Sequence, residues 1–406
     1  MSRPYSKYIC CSSDYHSCTL ALEYPRRARE LAPTIETCAE SIDHERRLPP
    51  DLIGALHEAG LFRLLLPRSI GGAELEPAAF VRVVQELGKA DASTGWVACQ
   101  TSGCSLVAAY LAADVAQAIF GEPRGVLTWG PPAEGRAIVA EGGYRVTGKW
   151  PFASGIHHAS WLGASCSTFE ADGTARLLAD GSPEVRTMLF PAGKAAISDV
   201  WQVIGLRGTG SDAYSVSDVF VPQAYSVARD DPAERREAGR LYRLTAQQVF
   251  EIGFAGLGLG IARGALDSFL ELAGGKTPRG FKRTMRDSAV VQSQVAQAEG
   301  RLGAAEAFLI GSVEQVWEGI GAEAELLSLE QRMKLRLAAS HALKEAREVV
   351  DSVFHLSGST EIFDTSPIGR RFRDMHAVSQ QLQARQDHFE KVGQFLLGLE
   401  PDTSFL

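Results

Sequence analysis

The chain has no cysteine pair at C-x-x-C spacing, no uninterrupted membrane-length apolar run and no surplus of positive charge. Of its seven cysteines, Cys10, Cys11 and Cys18 sit near the start, while Cys38, Cys99, Cys104 and Cys166 are scattered. Neither a zinc site nor a redox dithiol fits that distribution. The odd count, together with the lack of an apolar leader segment, predicts a reducing, cytoplasmic setting. A membrane span needs ~18 apolar residues. The longest candidate, residues 250–265, is broken by five glycines and reads as a buried helix. The formal net charge of −8 argues against a general nucleic-acid binder and against docking on anionic membranes. No His/Asp/Glu cluster has metal-ligand spacing, and no G-x-S-x-G nucleophile elbow occurs.

What remains is an ordinary globular composition, 45% hydrophobic and 22% charged over 406 residues, enough for two or three domains. Residues 1–25 read as an unstructured extension outside the fold. From residue 26 to 120 apolar residues recur at helical spacing, with Ala79, Phe80, Val83 and Leu87 on one side of a helix that begins at Pro77. Composition shifts at Gly121. Short alternating segments separated by Gly, Pro, Asp and Ser then predict a β-rich domain over residues 121–228. A charged linker, 229–241, leads into residues 242–400. There the segments 242–272, 288–317, 326–356 and 379–397 carry a 3.6-residue period and predict an antiparallel four-helix bundle.

The chain is organised around residues 142–161, GGYRVTGKWPFASGIHHASW. An alternating run, Tyr144 to Thr147, reads as a half-buried strand, and Lys149-Trp150-Pro151-Phe152 as its exit. Ala153-Ser154-Gly155 follows. A small hydroxyl residue between aromatics and a glycine lets a flat ring approach the backbone, with a hydrogen bond at its edge. A second phrase, residues 201–222 (WQVIGLRGTGSDAYSVSDVFVP), has glycines 205, 208 and 210 in a loop before a strand. It is no dinucleotide fingerprint, because no helix follows. Arg207 there reads either as a loop arginine on carbonyls or as a functional cation.

GGYRVTGKWPFASG resembles the middle-domain motif of the acyl-CoA dehydrogenase superfamily, and its F-x-S-G form resembles the branch of reduced-flavin-dependent monooxygenases. GLFRLLLPRSIGGAEL and ADASTGWV resemble the superfamily's N-terminal domain, so the likeness covers about residues 26–400. It implies a helical N-terminal domain, a middle β-barrel-like domain and a C-terminal four-helix bundle. It also implies that Ser154 faces flavin N5 beside Phe152, and that Thr128 or Trp129 meets the pyrimidine edge. The flavin phosphate falls to the entry of the second bundle helix, often from a neighbouring subunit. Arg279, Lys282, Arg283, Arg286 and Gln292 are the candidates there. Of His157 and His158, one points at the flavin edge or substrate. Four long amphipathic helices predict self-association, as a homotetramer or at least a dimer.

Two chemistries compete within that likeness. An acyl-CoA dehydrogenase with bound FAD needs a carboxylate base. The expected positions fall at Gln386, beside Asp387, or near Phe250, beside Glu251; neither supplies it plainly. A monooxygenase instead takes reduced FMN or FAD from a separate reductase, reacts it with O2 away from water, and oxygenates a small aromatic or amine-bearing substrate. RRFRDMHAVSQQLQ, residues 370–383, resembles the segment lining that site. Many relatives carry a histidine where this chain has Gln381, which donates a hydrogen bond but cannot exchange a proton near neutral pH. His376 lies five residues earlier. The monooxygenase is the reading adopted, with Ser154, His158, His376 and Gln381 as its catalytic candidates. A catalytically silent binding protein of the same fold is the third alternative.

Overall fold

The computed structural model describes residues 15–132, 134–321 and 324–403. Five helices come first: α1 (Tyr15–Glu45), α2 (Pro50–Glu58), α3 (Pro77–Ala90), α4 (Ala92–Ser105) and α5 (Ala113–Phe120). Residues 15–25 are therefore helical, against the expectation of an extension, whereas 1–14, with Cys10 and Cys11, lie outside the described residues. Pro25 and Pro33 sit inside α1. The helix persists because Ala28, Ile35 and Ile42, seven residues apart, are all buried on one face.

The middle region forms one eight-stranded sheet. Its strands are β1 (Leu127–Thr128), β2 (Arg136–Ala140), β3 (Gly143–Trp150), β4 (Trp161–Phe169), β5 (Val185–Pro191), β6 (Ala196–Ser198), β7 (Ala213–Pro222) and β8 (Ser226–Val227). The order is β6-β7-β3-β2-β4-β5-β8, with β1 parallel to β4. The predicted alternation of β3 holds: Tyr144, Val146 and Trp150 are buried in the sheet's own core, against Met188, Phe190 and Tyr214. Trp150 stacks on Tyr214 with centroids 5.2 Å apart.

The bundle comprises α6 (Ala246–Gly275), α7 (Ala289–Glu318), α8 (Leu329–Ser357), α9 (Pro367–Val378) and α10 (Asp387–Leu396). The segment at 379–397 is not one helix. α9 stops at Val378, a 3-10 turn occupies Leu382–Ala384, and α10 starts at Asp387. Between Ser379 and Asp387 only Leu382 and Ala384 are apolar, too few to bury a helical face. α6 has the length and composition of a membrane helix, but 89% of its apolar window is buried. It is the core helix, and its glycines allow close packing on α3. A Cβ at Gly260 would lie 2.2 Å from the Gln85 carbonyl. The N-terminal helices and the bundle share one hydrophobic core, while the sheet keeps its own. The linker at 229–241 is strapped down: Asp230 accepts from the Ala246 amide at the start of α6 (3.0 Å), and Glu234 pairs with Arg186 (2.7 Å).

Candidate active site

Ser154 lies where the sheet meets the first helical domain. Past Trp150 the backbone turns sharply. Phe152 has φ 59° and Gly155 φ 77°, both left-handed, a region that suits glycine but strains phenylalanine. The turn buries Ser154 yet leaves the Phe152 ring 57% exposed, edge-on to Trp201 at 5.8 Å.

Three side-chain contacts hold the serine. Thr128 Oγ1 donates to its carbonyl (2.7 Å), and Trp96 Nε1 on α4 donates to its Oγ (2.9 Å). The Oγ also lies 2.6 Å from Ser211 Oγ, itself 2.6 Å from Thr209 Oγ1, which donates to the Leu206 carbonyl (2.8 Å). α4 is fixed at its start by Asp91, whose carboxylate accepts from the Thr94 amide (2.7 Å). The Trp96 ring stacks on Phe254 (4.1 Å), and Phe254 on Phe250 (5.8 Å), both on α6. The N-terminal helices and the sheet region thus meet at one hydroxyl, with α6 packed behind the indole.

The loop before β7 is held by two buried carboxylates. Asp212 Oδ1 accepts from the amides of Val200 and Trp201 (2.8 and 2.9 Å), and its Oδ2 meets His157 Nε2 (2.8 Å). Asp374 on α9 accepts from the Leu206 amide (2.7 Å). Burial, reinforced by Asp91 nearby, pushes Asp374 up to about 7.

The remaining candidates divide. His158 is adjacent to the serine turn; its Nε2 is sealed from water without a partner, and burial pushes the imidazole down to about 3. Trp129 is buried, with the Arg229 guanidinium 5.2 Å from its ring centroid, and the Thr128 hydroxyl hydrogen is committed to Ser154. His376 is not brought to the serine. Its Nε2 meets Asp351 of α8 (2.7 Å) and its ring packs on Phe372 (4.4 Å). Two helical positions from Asp374, it lies about 200° around α9 from the residue that grips the Leu206 loop. Gln381 stands outside any helix, at the start of the 3-10 turn, with its Nε2 buried and unpartnered. Arg279, Arg283, Arg286 and Gln292 lie exposed around the α6–α7 connection, where Gln292 Nε2 donates to the Arg286 carbonyl (2.9 Å). Arg207 Nε approaches Asp43 at 3.9 Å.

The alternative bases are engaged elsewhere. Glu251 is buried against Arg336 (3.1 Å), and burial pushes it up to about 7 although the guanidinium opposes the shift. Its neighbour Phe250 faces the Phe254–Trp96 stack. Gln386 is exposed, and Asp387 pairs with Arg385 (3.0 Å).

A flavin fits these residues. Phe152, exposed and edge-on to Trp201, makes an apolar shelf for a flat ring beside the Ser154 turn. The sealed, unpartnered Nε2 atoms of His158 and Gln381 are further polar groups without an internal role. Trp96, Thr209 and Ser211 were not singled out from sequence, although the phrases ADASTGWV and RGTGS contain them.

Comparison with known proteins gives the same lineage. The acyl-CoA dehydrogenase N-terminal domain family matches residues 26–118, and the acyl-CoA dehydrogenase C-terminal domain family matches residues 252–386. An indole-3-acetate monooxygenase from Pseudomonas putida is 32% identical over 370 residues, 90% of this chain and 91% of that protein. The oxygenase component of an FADH(2)-dependent resorcinol hydroxylase from a Rhizobium species is 30% identical, covering 93% and 95%. The crystal structure of the HsaA monooxygenase from M. tuberculosis superposes with a TM-score of 0.85 at 27% identity, over 95% of this chain and 100% of that one.

Proposed function

The chain belongs to the acyl-CoA dehydrogenase superfamily, in the branch of flavin-dependent monooxygenase oxygenase components, and from that premise we propose how it works. The protein takes reduced FMN or FAD from a separate reductase and uses O2 to oxygenate a small aromatic substrate. Reduced flavin, when bound, supplies the oxygen activation. The protein's residues bind, orient and keep out water. Ser154 Oγ contacts the ring edge, Phe152 and Trp201 form the shelf under it, and the Trp96–Phe254–Phe250 stack provides an apolar aromatic wall on the substrate side. Gln381 and His158 each offer an uncommitted polar nitrogen. Aromatic substrates are those printed for the relatives, indole-3-acetate and resorcinol, and the aromatic wall suits them.

The observation that carries this reading against acyl-CoA dehydrogenation is Phe250. The α6 side chain facing the serine's aromatic stack is a phenyl ring, and the neighbouring carboxylate is locked to Arg336. Assembly as a homotetramer through the bundle accounts for Phe281, Val290, Leu396 and Leu397, each at least 65% exposed. It would bring a neighbour's Arg279, Arg283 or Arg286 to the flavin phosphate. We place the enzyme in the cytoplasm. Absorbance of the purified protein tests the cofactor reading. A colourless protein that captures reduced flavin anaerobically supports it, and tightly held yellow FAD supports a dehydrogenase.

A further inference from the structure

Arg336 stands behind the candidate site, between the Phe250 wall and the Gln381 turn. Its buried guanidinium lies 3.1 Å from Glu251 on α6, the residue after Phe250, whose ring faces the Phe254–Trp96 stack. On the other side, Nη1 reaches the His388 ring nitrogens (2.7 and 3.1 Å). His388, buried in the first turn of α10, then meets the Leu382 carbonyl through Nε2 (2.7 Å), one residue beyond Gln381. A carbonyl only accepts, so Nε2 donates to it, and Nδ1 keeps the lone pair that a donor-only guanidinium can use. Burial, helped by Arg336, pushes His388 down to about 4, so the ring is neutral at pH 7, as this arrangement needs. The turn has little else to hold it. Its own amides make two bonds, Ala384 to the Gln381 carbonyl (3.1 Å) and Arg385 to the Leu382 carbonyl (3.4 Å). Only Leu382 and Ala384 are apolar between Ser379 and Asp387.

We propose that Arg336 and His388 are positioning residues for the oxygenation: they hold the Gln381 turn in register with the Phe250 wall, and neither touches the substrate. The inference rests on the reading that Gln381 lines the site. Stability does not by itself explain a charge buried among Leu335, Ala339 and Leu343 of α8, because apolar replacement of such a pair is often neutral or stabilising. What the charge adds is direction. A guanidinium has donors on several sides, so one side chain grips the carboxylate beside Phe250 and the imidazole behind Leu382 together. An apolar side chain would fill the space and leave the turn free to shift. With the tie intact, the Gln381 amide keeps a fixed place relative to the aromatic wall, and small displacements of a polar group at a reacting centre are costly.

The test compares His388→Phe, His388→Gln and Glu251→Gln/Arg336→Met with wild type, all as the full chain. The double variant strands no charge, so its fold survives the loss of the tie. Hydrogen exchange without flavin reads the turn. Amides 382–386 should exchange about fivefold faster in His388→Phe and in the double variant, the factor carried by one buried hydrogen bond, while the amides of β3 exchange as in wild type. The second reading uses chemically reduced FMN, O2 and the substrates printed for the relatives, indole-3-acetate and resorcinol. The ratio of oxygenated product to released hydrogen peroxide should fall about fivefold in the same two proteins. His388→Gln keeps a donor and an acceptor on one side chain and should hold both readings at the wild-type level. Exchange within twofold of wild type in both His388→Phe and the double variant overturns the tie. Faster exchange with an unchanged product ratio overturns its part in the reaction. An unchanged ratio in Gln381→Ala overturns instead the reading that Gln381 lines the site.

Discussion

Replacing Arg336 with methionine isolates the charge network at the centre of the bundle. Arg336 on α8 is fully buried and lies 3.1 Å from Glu251 on α6, which is 1% exposed. Its Nη1 also reaches the His388 ring nitrogens (2.7 and 3.1 Å), and His388 Nε2 meets the Leu382 carbonyl at 2.7 Å. The pair therefore ties α6 to the turn that follows Gln381. Removing one member of a buried ion pair typically destabilises by about 3–5 kcal/mol, because the other charge is stranded. Glu251 has an escape. With its pKa already about 7, it can take up a proton near neutrality and mute the loss. Without Arg336 that pKa rises further. A carboxyl raised above its unfolded value binds more protons when folded, so stability falls as pH climbs towards the folded pKa, by up to about 1.4 kcal/mol per unit. In the wild type this decline levels off near pH 7; in Arg336→Met it continues. The difference between the two proteins, read from urea midpoints, should therefore be larger at pH 8 than at pH 6. The double variant Glu251→Gln/Arg336→Met should recover most of the loss, since neither charge remains. An equal penalty at both pH values, or no recovery in the double variant, would refute the reasoning.

Burial holds His158 well below its unfolded pKa, so its share of stability is present above about pH 6.5 and is lost as pH falls below that value. His158→Asn should flatten the decline in melting temperature between pH 6.5 and 5; an unaltered slope would mean that the imidazole is already free to charge. Gln381→His places a titratable group where the unpartnered Nε2 stands. It should leave flavin affinity intact while giving product yield per flavin oxidised a new pH dependence near ~6.5, and superimposable profiles would remove Gln381 from the site. Light scattering at micromolar concentration should report a tetramer, and a monomer would exclude a phosphate site shared between subunits.

The architecture was legible because its signals are local. The turn from 3.6-residue spacing to short alternating segments after Gly121, and back again beyond the linker, marks the three regions directly. The position of Ser154 at the exit of an aromatic strand was legible for the same reason. Its partners were not. The indole that binds it is 58 residues away in the N-terminal helices, Ser211 is 57 residues on within the same β region, and neither pairing leaves a periodic trace. Two segments misled for opposite reasons. Residues 15–25 read as tail, although they continue the helix that packs through Ala28, Ile35 and Ile42. Around Gln381 a helical register was extended through a stretch too polar to sustain it. There the backbone is held by Arg336 and His388, which no spacing rule connects. Glu251 shows the limit from the other side: its position beside Phe250 suggested a base, and only burial against Arg336 rules on its role.

The most direct test of the account is isotopic. The full chain is given chemically reduced FMN or FAD without a reductase, under 18O2, with phenolic and indolic substrates, and the products are analysed by mass spectrometry. One 18O atom incorporated per molecule of product is the predicted result. No incorporation from 18O2, together with flavin reduction by an acyl thioester, would contradict it and leave a dehydrogenase.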